Sequence, residues 1–152
     1  RPFALRKNFE YDVRTTDFDM HISTNDFGLR ENQPIAQLLD HEFRVLSMGD
    51  SHTFGYGVNY GERYSDLLNG KLRKQAIAFT SGYADGFSPG DYAAYLQAFY
   101  SYLLPDIVVI GFFPENDVVT RQISRDSNGD IVGTKLNGFS VVDGFLTAQT
   151  AP

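Results

Sequence analysis

The sequence predicts an α/β fold, a three-layer doubly wound parallel sheet, and three observations carry that prediction. Short apolar segments, Phe43-Arg44-Val45-Leu46-Ser47-Met48 and Gln75 to Thr80, are each followed by a segment with helical spacing of apolar residues. A third segment, Asp106-Ile-Val-Val-Ile-Gly111, is a nearly continuous β-branched run of the kind buried on both faces of a parallel sheet. Strand, helix, strand, helix, strand makes two βαβ units, which pack as right-handed crossovers into one sheet. In such sheets function gathers at the carboxyl ends of the strands. Those ends are Gly49-Asp50-Ser51, Thr80-Ser81-Gly82 and the stretch after Gly111.

Taken in order, residues 1–42 mix charge with turn formers, as in Thr15-Thr16-Asp17 and Ser23-Thr24-Asn25-Asp26. They read as an irregular N-terminal arm with one short strand and a helical turn over Gln33 to Leu39. Residues 43–119 form the α/β core. Its first strand stops at Gly49, and after a Gly-rich turn Tyr60, Tyr64, Leu67, Leu68 and Leu72 recur at helical spacing. The second helix is marked by Ser88 as cap, Pro89 at the first helical position and Asp91 three residues past the cap. Tyr92, Tyr95, Leu96, Phe99 and Leu103 form its apolar face, and Pro105 ends it. Residues 120–152 change character. Asn128-Gly129 and Asn137-Gly138 each sit between strand-like segments, a hairpin signal. They predict a small antiparallel meander, an insertion or lid, with the domain continuing beyond the chain.

The 152 residues suffice for one domain with a buried core, and 42% hydrophobic with 21% charged residues is ordinary for a globular chain. The 13 Phe and 9 Tyr suit an aromatic core, or a surface for stacking sugars or a partner. A net charge of −6 argues against nucleic acid, whose binding rests on Lys and Arg neutralising phosphates. Lys71, Arg73 and Lys74 fall in the last turn of a predicted helix, where cations complement its dipole. The absence of cysteine excludes disulfides, thiolate metal sites and cysteine catalysis. No apolar run has the length of a membrane span. The chain starts at Arg1 with no initiator Met and no signal-like stretch, so it is expected to have been processed, truncated or built from part of something longer.

Gly49-Asp50-Ser51-His52-Thr53-Phe54-Gly55-Tyr56-Gly57-Val58 is the stretch that carries chemistry. A serine directly after a buried strand, flanked by glycines, can project its hydroxyl from a tight turn while backbone N–H groups stay open to a substrate. A phosphate-cradling loop fails for want of a Gly-Lys-Ser/Thr ending, with no lysine between Lys7 and Lys71. A dinucleotide fingerprint fails because Gly55-Tyr56-Gly57 lacks a third glycine at the right spacing. The run resembles, at every fixed position, the first signature of the SGNH (GDSL-type) hydrolases, Gly-Asp-Ser-x-Thr-x-Gly-x-Gly. Thr80-Ser81-Gly82 falls where that family places its glycine. Pro114-Glu115-Asn116-Asp117 is similar to its Gly-x-Asn-Asp, with Pro114 in place of glycine. Asn25-Asp26-Phe27-Gly28-Leu29-Arg30 looks like a lead-in found in bacterial members.

The resemblance implies an SGNH/flavodoxin-like fold and a serine ester hydrolase with Ser51 as nucleophile. The oxyanion would be met by the backbone N–H of Ser51, that of Gly82 and the side-chain amide of Asn116. Asp50 and Asp117 are turn-organising hydrogen-bonders, and Glu115 is a solvated loop charge or a substrate contact. No cofactor and no metal is implied; Asp126-Ser127-Asn128-Gly129-Asp130 fits a hairpin turn better than a calcium loop. The substrate would be an acyl ester. The lead-in, the acidic surface and the meander favour acetylated carbohydrate outside the cytoplasm, periplasmic or secreted.

The family's late Asp-x-x-His is missing, and the last histidine is His52. Three explanations stay open: a general base on an absent segment or a second chain; His52, His21 or His41 as substitute; or a degenerate site on a non-catalytic glycan-binding or structural protein.

Overall fold

The computed structural model describes residues 5–81, 88–114, 120–125, 127, 131–137, 139–142 and 145–148. The fold is mixed α/β, with a three-stranded parallel sheet at its centre and separate antiparallel strand pairs.

The N-terminal region is more ordered than its polar sequence predicts. Strands β1 (Glu10–Arg14) and β2 (Asp19–Ser23) pair antiparallel, Glu10 opposite Ser23 and Arg14 opposite Asp19. The turn between them is closed by Thr15, whose hydroxyl accepts from the Asp17 and Phe18 N–H groups. Two strands form where one was expected, because most β1 side chains face solvent and give no apolar alternation to read. Asn25 then organises a tight turn: its side-chain oxygen accepts from the N–H groups of Phe27, Gly28 and Leu29. Phe27 and Leu29 enter the core, and Asp26 caps the next segment by accepting from the Ile35 N–H at 2.8 Å. Helix α1 (Ile35–Leu39) follows and buries Ile35 and Leu38.

Strand β3 (Phe43–Gly49) runs through the middle of the sheet. It leads into the one-turn helix α2 (Ser51–Phe54), then α3 (Tyr64–Asn69) and strand β4 (Ala76–Thr80). Helix α4 (Pro89–Leu103) returns the chain to strand β5 (Ile107–Gly111). The order is β4-β3-β5, all parallel, so the two crossovers land on opposite sides of β3. Leu46 and Met48 of β3 and Ile77 and Phe79 of β4 pack with Tyr92, Tyr95, Phe99 and Leu103 of α4 and with Phe27, Leu29, Ile35 and Leu38. The alternating residues Ser47 and Thr80 are also fully buried but lie outside that cluster. On their side Asn69 pairs with both backbone groups of Ala78, at 2.8 and 2.6 Å.

Helix α4 matches its signals. Ser88 and Asp91 form a reciprocal capping box, Pro89 opens the first turn, and Leu104 closes the helix in the left-handed conformation ahead of Pro105.

Three expectations need correction. The helix expected from Tyr60 to Leu72 shortens to α3, and its expected core face is only partly covered: Tyr64 is 40% and Leu67 59% exposed, while Leu68 and Leu72 are half-buried. A capping interaction between Arg63 and Asp66 starts that helix late, and Lys71, Arg73 and Lys74 lie past its end. Strand β5 was expected buried on both faces, yet Ile107, Val109 and Ile110 are 47%, 37% and 51% exposed. Among the described strands β5 has a neighbour only on the β3 side, so its β-branched run reports strand propensity rather than burial. In the C-terminal region β6 (Thr120–Arg125) pairs antiparallel with β7 (Ile131–Asn137), and the expected turn at Asn128-Gly129 lies outside the described residues. The hairpin expected at Asn137-Gly138 is not seen: among the described residues, the strands on either side of it, β7 and β8 (Phe139–Val142), are not paired with each other. Strand β8 instead pairs antiparallel with β9 (Phe145–Ala148).

Candidate functional site

The parallel register aligns the carboxyl ends of the central strands: Ser47 is opposite Thr80, and Gly49 is opposite Gly111. Ser51 stands at this edge, partly buried, as the first residue of α2. A first-turn N–H has no partner within its own helix. Among the described residues nothing accepts from the Ser51 N–H, and nothing hydrogen-bonds its hydroxyl.

Asp50 is fully buried and caps the turn, its carboxylate accepting from the His52 N–H at 2.9 Å. The strand-to-helix turn also leaves no room for side chains at its crossing points. A Cβ on Gly49 would run into the Thr53 side chain and sit 2.8 Å from the Gly111 carbonyl oxygen. Thr53 is buried there, and its hydroxyl accepts from the Tyr64 hydroxyl at 3.3 Å. Gly55 ends α2 with φ 80° and ψ 46°, the left-handed conformation that glycine takes without strain.

Gly82, Asn116 and Asp117, together with Glu115, lie outside the described residues, as does most of the Asp126–Asp130 stretch. None of the chain's three histidines hydrogen-bonds Ser51. The His52 ring turns back towards Asp50, Nδ1 at 3.1 Å from a carboxylate oxygen, and lies 4.6 Å from the Phe113 ring. His21 contacts Asp12 at 2.7 Å, a bond that lowers the pKa of that exposed carboxyl, and His41 contacts the Gln37 carbonyl.

The structure adds a buried charge cluster beneath this turn. Arg30, 1% exposed, donates to the Phe54 and Gly55 carbonyls, both at 2.8 Å, to Val58 at 2.6 Å and to His21 at 3.2 Å. Its guanidinium lies over the Phe54 ring, and burial pushes its pKa down to about 10. Arg63 donates to the Arg30 carbonyl, the Thr80 hydroxyl, Glu31 and Asp66. Glu31 accepts from the Thr80 N–H at 3.0 Å, which ties the end of β4 to the same cluster. Arg30 sits in the Asn25–Arg30 lead-in. Glu31 has no sequence signal, because its partners Arg63 and Thr80 are 32 and 49 residues away, and the local Arg63–Asp66 pair, three residues apart, does not show in the sequence that it is buried.

Burial is the largest influence on Glu31 and pushes its carboxyl above the ordinary 4.5, against the opposing pull of Arg63 and the Thr80 N–H. The native state therefore binds this proton more readily than the unfolded chain does. Stability gained on protonation is fully present below 4.5 and is lost as pH rises through the native pKa. Glu31→Gln is expected to remove that pH-dependent component. Urea unfolding of both proteins from pH 4.5 to about 7 reads it, and a constant difference between them would show that burial does not govern this carboxyl.

Among the described residues, no helix is long and apolar enough to cross a membrane, and no cluster of His, Asp and Glu could hold a metal ion. No family model matches the chain, and neither a curated protein nor a solved structure matches it.

Proposed function

We propose that the chain carries the nucleophile half of a serine ester hydrolase of the SGNH type, built on a three-layer doubly wound sheet, with Ser51 as nucleophile. The observation that carries this is the position of Ser51. It follows the central strand of a parallel sheet and opens a one-turn helix, with neither its N–H nor its hydroxyl engaged among the described residues. Ligands of open parallel sheets bind beyond these carboxyl ends.

The Ser51 hydroxyl oxygen attacks the acyl carbonyl and gives its proton to a base, forming a tetrahedral oxyanion. Backbone N–H groups of Ser51 and Gly82 and the Asn116 amide donate to that oxygen. Collapse expels the alcohol, which takes up a proton, and leaves an acyl-enzyme. Water then attacks it, releasing the acid and restoring the Ser51 hydroxyl. The base comes from a second chain or from a segment additional to these residues, since His52 is turned to Asp50 and Ser51 is its chain neighbour. Acetylated carbohydrate is the proposed substrate class. One observation favours the rival, a glycan-binding or structural protein on the same scaffold: no base touches Ser51 among the described residues.

Fluorophosphonate labelling of the native protein, mapped by peptide mass, tests the proposal. Labelling at Ser51, lost in Ser51→Ala, is the expected result. A folded protein without label would move the non-catalytic role ahead.

A further inference from the structure

We propose that Arg30 is a positioning residue for the Ser51 nucleophile, clamping the far end of the turn that Ser51 opens; this rests on the ester-hydrolase function proposed above. Helix α2 has a single turn, and its two ends are held by different means. Asp50 caps the first end from within the turn. The second end exposes carbonyl oxygens that no later helical N–H can reach. Arg30 supplies the donors from a distant part of the chain. One of its terminal nitrogens bridges the Phe54 and Gly55 carbonyls, and the other reaches Val58 and His21.

That set of acceptors suits arginine specifically. A planar guanidinium directs two terminal nitrogens along separate fixed lines, and here each meets two carbonyls. A lysine ammonium has three donors at a single centre and cannot span both pairs. Among the described residues Arg30 also has no carboxylate as a hydrogen-bond partner, although a salt bridge is the usual means of holding a buried charge. Its contacts are with the backbone of the nucleophile loop and the β2 strand. The Arg30 carbonyl in turn accepts from Arg63 at 2.6 Å, and Arg63 also bonds the Thr80 hydroxyl, two residues before Gly82. One connected set of bonds thus fixes the loop after Ser51 and the end of the neighbouring strand.

A clamp of this kind acts on the geometry of attack and leaves affinity alone. Misplacing a reacting group by about 1 Å can cost on the order of a hundredfold in rate. Arg30→Lys in the full chain is therefore expected to lower the maximal rate of fluorophosphonate labelling at Ser51 by about 10- to 100-fold. The probe concentration giving half that rate should not change. Amide hydrogen exchange over residues 51–58 should quicken about tenfold, while residues 43–49 of β3 keep their protection.

Labelling of the wild type with an unchanged maximal rate in Arg30→Lys would overturn the inference alone. So would loss of protection spread evenly over β3 and α4, the mark of general destabilisation. A folded wild type that takes no label would overturn the hydrolase function and the positioning role with it. Should Arg30→Lys fail to fold, Phe54→Leu loosens the clamp by removing the ring 4.8 Å from the guanidinium. A smaller fall in maximal rate at the same half-saturation supports the clamp, and an unchanged rate overturns it.

Discussion

Replacing Arg63 with methionine will destabilise the chain by about 3–5 kcal/mol, the range found when one partner of a buried ion pair is removed. The Arg63 side chain is fully buried, with Glu31 2% and Asp66 7% exposed beside it. Its Nε and one terminal nitrogen hold Asp66 at 2.8 and 2.7 Å, and the same nitrogen lies 3.3 Å from both Glu31 oxygens. Methionine fills much of the volume but donates nothing. Glu31 would keep only its Thr80 contacts, and the Arg30 carbonyl would lose the bond from Arg63. Against a typical domain stability of about 5–15 kcal/mol, that is a large fraction. Adding Glu31→Gln should recover part of the loss, because the stranded charge is then gone. Urea unfolding of the four proteins in this cycle measures both effects. A loss below about 1 kcal/mol for Arg63→Met would mean that the cluster relaxes or hydrates at little cost.

Gly55→Ala should cost about 2–5 kcal/mol by summing two independent effects. At φ 80° an alanine pays the left-handed penalty of roughly 1–2 kcal/mol. Its Cβ would also lie 2.5 Å from Cγ and 2.9 Å from Cδ of Arg63, and overpacking of this sort costs about 1–3 kcal/mol. Arg63 cannot swing aside freely, since its guanidinium is bonded to Asp66, Glu31, Thr80 and the Arg30 carbonyl. Gly61 supplies the control: its φ is 95°, but a Cβ there meets nothing within 4 Å. Gly61→Ala should therefore show the backbone penalty alone and leave Ser51 labelling intact. Equal melting shifts for the two variants would remove the steric half of the argument.

Much of the sheet was legible beforehand. Each of the three parallel strands was found within two residues of its bounds, because a short apolar run between turn signals is a local property. Helix α4 was legible for the same reason, since Ser88, Pro89 and Asp91 mark its start within a few residues of one another. The strand-to-helix turn at Gly49–Gly55 was legible from its glycines and serine, and packing now accounts for two of those glycines: Gly49 meets Thr53 and Gly111, and Gly55 meets Arg63.

The misses share one physical origin. Tyr64 and Leu67 have helical spacing, but spacing does not say which face is covered. Ile107, Val109 and Ile110 have strand propensity, but exposure depends on what lies beside β5. Residues 1–42 gave little periodic signal, yet Phe27, Leu29, Ile35 and Leu38 complete the core. Their placement depends on Asn25 and Asp26, whose side chains bond the backbone of residues 27–35.

The sequence by itself determined the local decisions: which segments become the three parallel strands, where α4 is capped, and which serine opens a turn after the central strand. These depend on the conformational preferences of neighbouring residues. Only the tertiary structure decided which charges meet beneath that turn. Arg30 reaches carbonyls 24 to 28 residues away, and Glu31 reaches Thr80 across 49 residues. A lone arginine or glutamate is read as a solvated surface charge until folding brings it a partner. Once buried, such a charge must be hydrogen-bonded or paired, and that requirement fixes the cluster around the Ser51 turn.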